Sequence, residues 1–136
     1  MPPTRSHLLC TVAFGIFSSV AIAKTDPACL NHLGGGYSDA ACYSGLRMDL
    51  VADNEDVYKK LRATIPTGNV HASLLDEYMA TQSKSEKYCE LQRNAGANWE
   101  TKHDGSMSPA LYEQCRHDLR KTQNKFLRDL LEMANW

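Results

Sequence analysis

The residues with the clearest chemistry in this chain of 136 residues are its five cysteines. Cys10 lies in an apolar segment near the N-terminus, and the other four, Cys29, Cys42, Cys89 and Cys115, are spread along the polar remainder. An even number of cysteines in a small exported domain favours disulfides over metal ligands or a reactive thiol. We therefore predict two disulfides. One disulfide with two buried thiols is the alternative, which intact mass with and without reduction would reveal.

The N-terminal segment has the three parts of a secretory signal peptide. Arg5 supplies a basic start, an apolar run follows from Leu8 to Val20, and Ala21-Ile22-Ala23 matches a small-residue cleavage site. The run is shorter than the roughly 20 apolar residues that a membrane-spanning helix needs. We expect residues 1–23 to be cleaved and the protein to be periplasmic or secreted, without stable membrane insertion.

Charge and length exclude several classes of protein. The chain carries 15 basic and 16 acidic residues, a formal net charge of −1, and no basic block. Proteins that bind nucleic acid usually present a basic surface, so we expect no nucleic-acid partner. The length remaining after cleavage suits a single domain with one hydrophobic core.

Three segments after a flexible arm at residues 24–37 show helical periodicity. The first follows the glycines at 34–36 and ends before Pro66, and the second has a polar centre, TQSKSEK. The third begins with Ser108 as N-cap and Pro109 at the first helical position. Its predicted apolar face consists of Leu111, Cys115, Leu119, Thr122, Phe126, Leu130 and Met133. The helical domain is 38–136, with helices at about 38–65, 69–93 and 109–134.

These helices predict an all-α fold, a small three-helix up-down-up bundle stapled by two disulfides. In that topology Cys42, Cys89 and Cys115 lie at one pole of the bundle, and the arm brings Cys29 to the same pole. Because all four thiols meet there, spacing does not select among the three possible connectivities. We favour Cys89 with Cys115 and Cys29 with Cys42.

Several short motifs together resemble the LprI-type lysozyme inhibitor family. The most specific stretch is residues 105–130, GSMSPALYEQCRHDLRKTQNKFLRDL, in which a Gly-Ser-Met turn precedes Tyr112 and Cys115. The first helix contributes Asp53-Asn54-Glu55-Asp56-Val57-Tyr58, with its Asn displaced by one position from the family pattern. The family's Gln, Trp and Arg before the second-helix Cys are replaced by Tyr78, Thr81 and Ser85. The resemblance implies a divergent member that binds and inhibits a lysozyme.

Two surfaces are candidates for binding a partner protein. The connection 94–108 would be held as a ring by the Cys89–Cys115 disulfide, and an aromatic residue on such a loop is a common interface anchor. Its candidate residues are Trp99, His103, Asp104, Ser106 and Met107. An acidic stripe of Asp49, Asp53 and Asp56 is the second candidate, suited to a cationic partner. The alternatives are that Trp99 covers the core and that the stripe is an ordinary solvated helix face.

The sequence contains no arrangement that predicts catalysis. The histidines lack a metal-ligand spacing, and neither a G-x-S-x-G motif nor a Gly-rich phosphate loop is present. We therefore expect no enzyme activity, no metal and no cofactor. The expected function is binding and inhibition of a cell-wall-degrading enzyme. The alternatives are an immunity protein that neutralises a toxin effector delivered into the periplasm, a structural envelope protein, or a small hydrolase.

Overall fold

The computed structural model describes residues 23–100, 105 and 107–136, and these form α-helices without any strand. The α-helices are α1 (Tyr37–Thr64), α2 (His71–Ser85), α3 (Cys89–Ala95) and α4 (Met107–Ala134), and 3₁₀-helices span Pro27–His32 and Glu86–Tyr88. The predicted all-α bundle is confirmed. The predicted signal peptide lies outside the described residues, apart from Ala23. No helix in the described part of the chain has the length and apolar character needed to span a membrane.

The long helices α1 and α4 form the main contact of the bundle and run parallel. Arg47 near the start of α1 meets Glu113 near the start of α4. About two turns further along α1, Asn54 meets Gln123 of α4. The chain between them returns through α2 and α3 in the opposite direction, which is the up-down-up order.

The segment predicted as one helix at 69–93 is interrupted. It is divided into α2 and α3 by the 3₁₀-helix Glu86–Tyr88. The interruption falls at the end of the polar TQSKSEK stretch, where no apolar side chain is available to pack on α4. Instead the buried Glu86 contacts α4, and Cys89 follows at the start of α3.

The start and the buried face of α4 differ from the prediction. The helix begins at Met107, so Pro109 lies within its first turn, where its missing N–H costs nothing. The buried residues of α4 are Ser108, Ala110, His117, Arg120, Gln123 and Leu127. Phe126, which was predicted on the apolar face, is exposed. The face of α4 that is buried differs from the predicted apolar face, because Arg120 and Gln123 point inward to buried polar partners.

The arm predicted as flexible at 24–37 contains a 3₁₀-helix that lies on α1. The Asp26 side chain caps it by accepting from the backbone N–H of Ala28, with the two atoms 2.8 Å apart. The carboxylate of Asp39 in α1 accepts from the backbone N–H groups of Gly34 and Gly35 at 3.1 and 2.7 Å. The turn into α1 uses positive φ angles of 89° and 88° at Gly35 and Gly36, which glycine adopts without steric cost.

The two disulfides join Cys29 to Cys42 and Cys89 to Cys115, with Cα atoms 5.9 and 5.6 Å apart. This is the pairing that the sequence favours, and both bonds lie at one pole of the bundle. Disulfides persist in oxidising compartments, so the pair indicates an exported location. The hydrophobic core lies further along the bundle and consists of Val57, Leu61, Leu75 and Leu127.

Candidate functional site

The turn after α3 exposes Trp99. The residues Asn98 and Trp99 have positive φ angles of 52° and 67°, a left-handed conformation that few residues other than glycine adopt. The Trp99 N–H donates to the carbonyl oxygen of Asn94 at 2.6 Å, which closes the turn. The Trp99 side chain is 67% exposed. Trp99 is therefore a surface residue and does not cover the core.

The helix that carries this turn is fixed to α4 by a disulfide and by close packing. Cys89, at the start of α3, is fully buried and bonded to Cys115. At the other end of α3, Gly96 packs closely on Leu111 of α4: a Cβ atom added to Gly96 would lie 2.8 Å from Leu111 Cδ1, so the leucine side chain would have to move. Both ends of α3 are thus held, and Trp99 projects from a restrained segment.

The ring of Tyr112 adds to the attachment of α3 by contacting an arginine from each of two helices. The guanidinium carbons of Arg93 in α3 and Arg116 in α4 lie 5.3 and 5.2 Å from the centroid of the Tyr112 ring. Cation–π contacts of this kind are favourable at partly exposed positions. The Tyr112 ring therefore links α3 and α4 next to the disulfide.

The remaining candidates of the 94–108 connection are only partly described. Met107 is exposed, and its sulfur lies 3.1 Å from the position of a Cβ added to Gly35, so it contacts the N-terminal arm. His103, Asp104 and Ser106 lie outside the described residues. Their role in partner binding stays a prediction.

Two carboxylates of the predicted acidic stripe are engaged within the molecule. Asp49 Oδ2 accepts from the backbone N–H of Thr25 at 2.7 Å. Asp53 accepts from Arg128 Nη2 at 2.7 and 2.6 Å and from Asn124 Nδ2 at 2.6 Å. Burial alone would raise the pKa of Asp53, but these hydrogen bonds and the Arg128 charge outweigh it and hold the pKa below its usual value. Both carboxylates therefore have a structural role.

Asp56, the third residue of the stripe, is exposed. It borders a small cleft of about 200 Å³. The cleft is lined by Lys24, Met48, Asp49, Ala52, Asp53 and Asp56. Asp56 is thus the most accessible carboxylate of the stripe.

A buried ionic cluster joins the 3₁₀-helix Glu86–Tyr88 to α1 and α4. The Glu86 carboxylate accepts from Arg116 Nε at 2.8 Å and is also paired with Arg120 Nε. Arg116 bonds Glu113 at 2.8 Å, and Glu113 lies 3.3 Å from Arg47 Nε in α1. Glu86 is only 8% exposed, and burial would raise its pKa, but the two arginines more than offset burial and lower it.

A hydrogen-bond network continues this cluster along the α1–α4 interface. Arg120 Nη1 donates to Gln123 Oε1 at 2.8 Å, and Asn54 Nδ2 donates to the same oxygen at 3.0 Å. Asn54 also donates to the carbonyl of Arg120 at 3.2 Å and accepts from Asn124 Nδ2 at 2.8 Å. Buried polar groups with partners of this kind fix the register of two helices, because any shift leaves them unsatisfied.

The lowered pKa values of Asp53 and Glu86 predict acid sensitivity. A carboxylate with a lower pKa in the folded state stabilises the fold above its unfolded pKa, and that stability is lost as the pH falls through the folded pKa. We expect the free energy of unfolding, measured by urea titration, to fall as the pH drops below about 4, near the unfolded values of such groups. The decline should be smaller in the variant Asp53→Asn/Glu86→Gln. An equal decline in both proteins would contradict the assignment.

An apolar cavity of about 460 Å³ lies beyond the hydrophobic core, at the pole opposite the disulfides. It is bounded by the end of α1, the start of α2 and the end of α4. Its lining residues are Leu61, Thr64, Ile65, His71, Leu74, Leu75, Tyr78, Phe126, Leu130 and Ala134. The sequence does not predict this cavity, because helical periodicity places Phe126 and Leu130 on one continuous apolar face of α4.

Two further findings concern metal binding and similarity to known proteins. Across the described residues, no group of three or more His, Cys, Asp or Glu side chains is placed to hold a metal ion. Comparison of the chain with models of protein families, with curated proteins and with solved structures found no match. The resemblance to LprI-type lysozyme inhibitors therefore rests on the residues quoted above.

Proposed function

We propose that this exported protein binds and inhibits a cell-wall-degrading enzyme such as a lysozyme, without being an enzyme itself. The observation that carries the proposal is the exposed Trp99 on a turn whose supporting helix is tied to α4 by the Cys89–Cys115 disulfide. The sequence resemblance to LprI-type lysozyme inhibitors supports the same class of target. A periplasmic location after signal-peptide cleavage would place the protein where such enzymes act.

The geometry of the Trp99 turn suits an inhibitor. An exposed tryptophan can fill a concave site on a partner, and aromatic anchors of this type supply much of the binding energy at protein interfaces. Because both ends of α3 are held, little conformational freedom is lost when the turn binds. A glycan-cleaving enzyme presents a substrate cleft that such a projecting side chain could obstruct.

Charge plays a secondary part in the proposed inhibition. Many lysozymes are cationic, and complementary charge speeds encounter more than it adds to affinity. Asp56 is the exposed member of the acidic stripe and is suited to this role. Asp49 and Asp53 contribute less, since both carboxylates bond to groups of the same chain.

Substitution of Trp99 tests the proposal. We expect Trp99→Ala to weaken inhibition of a sensitive lysozyme by about 1 to 2 kcal/mol, as for an interface anchor, with the fold retained. Trp136→Ala is the matched control, because Trp136 is 93% exposed and lies at the C-terminus, away from the disulfide pole. Inhibition constants from cell-wall turnover and thermal unfolding by circular dichroism provide the two readouts.

The same assay distinguishes the targets. Normal inhibition by Trp99→Ala, or equal weakening by Trp136→Ala, would show that the turn is not the binding site. Absence of inhibition across a panel of lysozymes would contradict the proposed target. If a wall-directed toxin in the panel is neutralised instead, the protein is an immunity protein.

A further inference from the structure

The first residues of the predicted mature chain lie in the acidic cleft on α1. Lys24 lines this cleft, and the backbone of Thr25 is bonded to Asp49. We propose that the cleft binds the α-ammonium group that cleavage after Ala23 creates on Lys24, with Asp49 as its partner, so that processing fastens the arm to α1. This inference rests on the cleavage that belongs to the proposed export, and it does not depend on inhibition of an enzyme.

Thr25 is fixed on α1 through both its backbone and its side chain. Its N–H donates to Asp49 Oδ2 at 2.7 Å. A Cβ atom added to Gly45 would lie 2.5 Å from Thr25 Oγ1 and 3.0 Å from Thr25 Cγ2, so the threonine side chain packs directly on the α1 backbone. The Cys29–Cys42 disulfide holds the arm to the same helix a few residues later. The residue before Thr25 therefore has a defined position.

This anchor places the backbone nitrogen of Lys24 next to a carboxylate. Consecutive backbone nitrogens are at most about 3.6 Å apart, so the Lys24 nitrogen lies no more than about 6 Å from Asp49 Oδ2. Opposite charges within about 4 to 6 Å of each other favour the ionised form of both groups. Each residue retained by cleavage further upstream would move the amino group away by up to about 3.6 Å. Cleavage after Ala23 therefore leaves the new charge within reach of the cleft.

The Asp49 carboxylate can accept a second hydrogen bond. A carboxylate has about four lone-pair positions, and the Thr25 N–H occupies one of them. Before cleavage the Lys24 nitrogen is a neutral amide with one N–H, whereas a free ammonium group has three N–H donors and a positive charge. Charge-assisted hydrogen bonds are roughly twice as strong as neutral ones. Cleavage thus converts a weak donor into a strong one at the same place.

The charges around the cleft suit one further cation. Asp53 bonds Arg128, and the side chain of Lys24 lies close enough for its charge to stabilise the same carboxylate. These two cations face the three carboxylates of the acidic stripe. A metal ion is the less suitable occupant, because no group of three or more ligating side chains in the described part of the chain is placed to hold one. A tethered ammonium group needs only one carboxylate within reach.

Two forms of the mature chain that differ by one charge test the inference. A synthetic peptide of residues 24–28, with a free or an acetylated α-amino group, can be joined to a chain that begins at Cys29. At pH 7 the free α-amine is mostly protonated. We expect acetylation to raise the equilibrium constant for unfolding in urea by about two- to fivefold, the range expected for an exposed ion pair.

Substitution of the carboxylate identifies the partner of the ammonium group. In Asp49→Asn, whose amide oxygen can still accept from the Thr25 N–H, acetylation should have no effect on unfolding. Glu90→Gln is the matched control, because Glu90 is exposed on α3, and the full effect of acetylation should remain there. Equal stability of the free and acetylated forms, or an undiminished effect of acetylation in Asp49→Asn, would overturn the inference.

The exported protein supplies an independent readout. Its intact mass, measured after recovery from the periplasm of an expressing bacterium, should correspond to a chain that begins at Lys24. A different first residue would overturn the inference. Inhibition of lysozyme enters none of these measurements, so a failure here is distinguishable from a failure of the proposed function.

Discussion

Replacement of Glu86 by alanine is expected to lower the free energy of unfolding by about 3 to 5 kcal/mol. Glu86 is buried and forms the counter-charge for Arg120, whose side chain is also buried, and for Arg116. Alanine would leave the Arg120 guanidinium buried without a carboxylate partner. An uncompensated buried charge costs far more than the loss of a surface ion pair. Urea unfolding at neutral pH measures the effect.

Two controls separate the buried charge from other effects of the substitution. Glu90→Ala, at an exposed position on the adjacent helix α3, should change stability by less than about 0.5 kcal/mol. The double variant Glu86→Leu/Arg120→Leu replaces both members by apolar side chains, so it should recover most of the stability lost in Glu86→Ala. A cost below about 1 kcal/mol for Glu86→Ala would mean that the cluster behaves like a surface ion pair.

The same cluster explains where sequence reasoning failed. Helical periodicity predicted the bundle and most of α1, because it depends only on spacing along the chain. The spacing also placed the four cysteines at one pole, although it did not select among their three possible pairings. Glu86 lies in a polar stretch, and nothing local shows that such a residue is buried. Its burial depends on Arg116 and Arg120, which are 30 and 34 residues away. The signal that could have indicated it is the i, i+4 spacing of these two arginines, which places both on one face of α4.

For the candidate site, the sequence predicted where Trp99 lies in the chain but not whether its side chain is exposed. The sequence placed Trp99 in a connection held by Cys89 and Cys115, and the structure has that disulfide. Whether the side chain faces the solvent or the core depends on the left-handed backbone at Asn98 and Trp99, which neither residue type requires. For Asp53, the sequence predicted an exposed side chain, and the structure shows one engaged in contacts within the molecule. An i, i+4 acidic pattern predicts an exposed face, but tertiary contact with Arg128 and Asn124 turned this carboxylate into a structural group.

Removal of the Cys89–Cys115 disulfide should affect both stability and inhibition. The bond closes a loop with a sequence separation of 26, for which the chain-entropy model gives a cost of about 3.5 kcal/mol for Cys89→Ala/Cys115→Ala. The start of α3 would also be released from α4, so the Trp99 turn would lose its restraint. Binding would then have to order this segment. We therefore expect the free energy of binding to the inhibited enzyme to weaken by about 1 kcal/mol or more.

The Cys29–Cys42 disulfide provides a control, because its removal should lower the free energy of unfolding by nearly the same amount. Cys29–Cys42 has a sequence separation of 13, and because loop entropy grows only with the logarithm of length, Cys29→Ala/Cys42→Ala should cost about 3 kcal/mol. That bond ties the arm to α1 and leaves α3 untouched. At a temperature where both variants are folded, inhibition should weaken in the 89/115 variant and not in the 29/42 variant. Equal inhibition by the two variants would mean that the Trp99 turn needs no disulfide to bind.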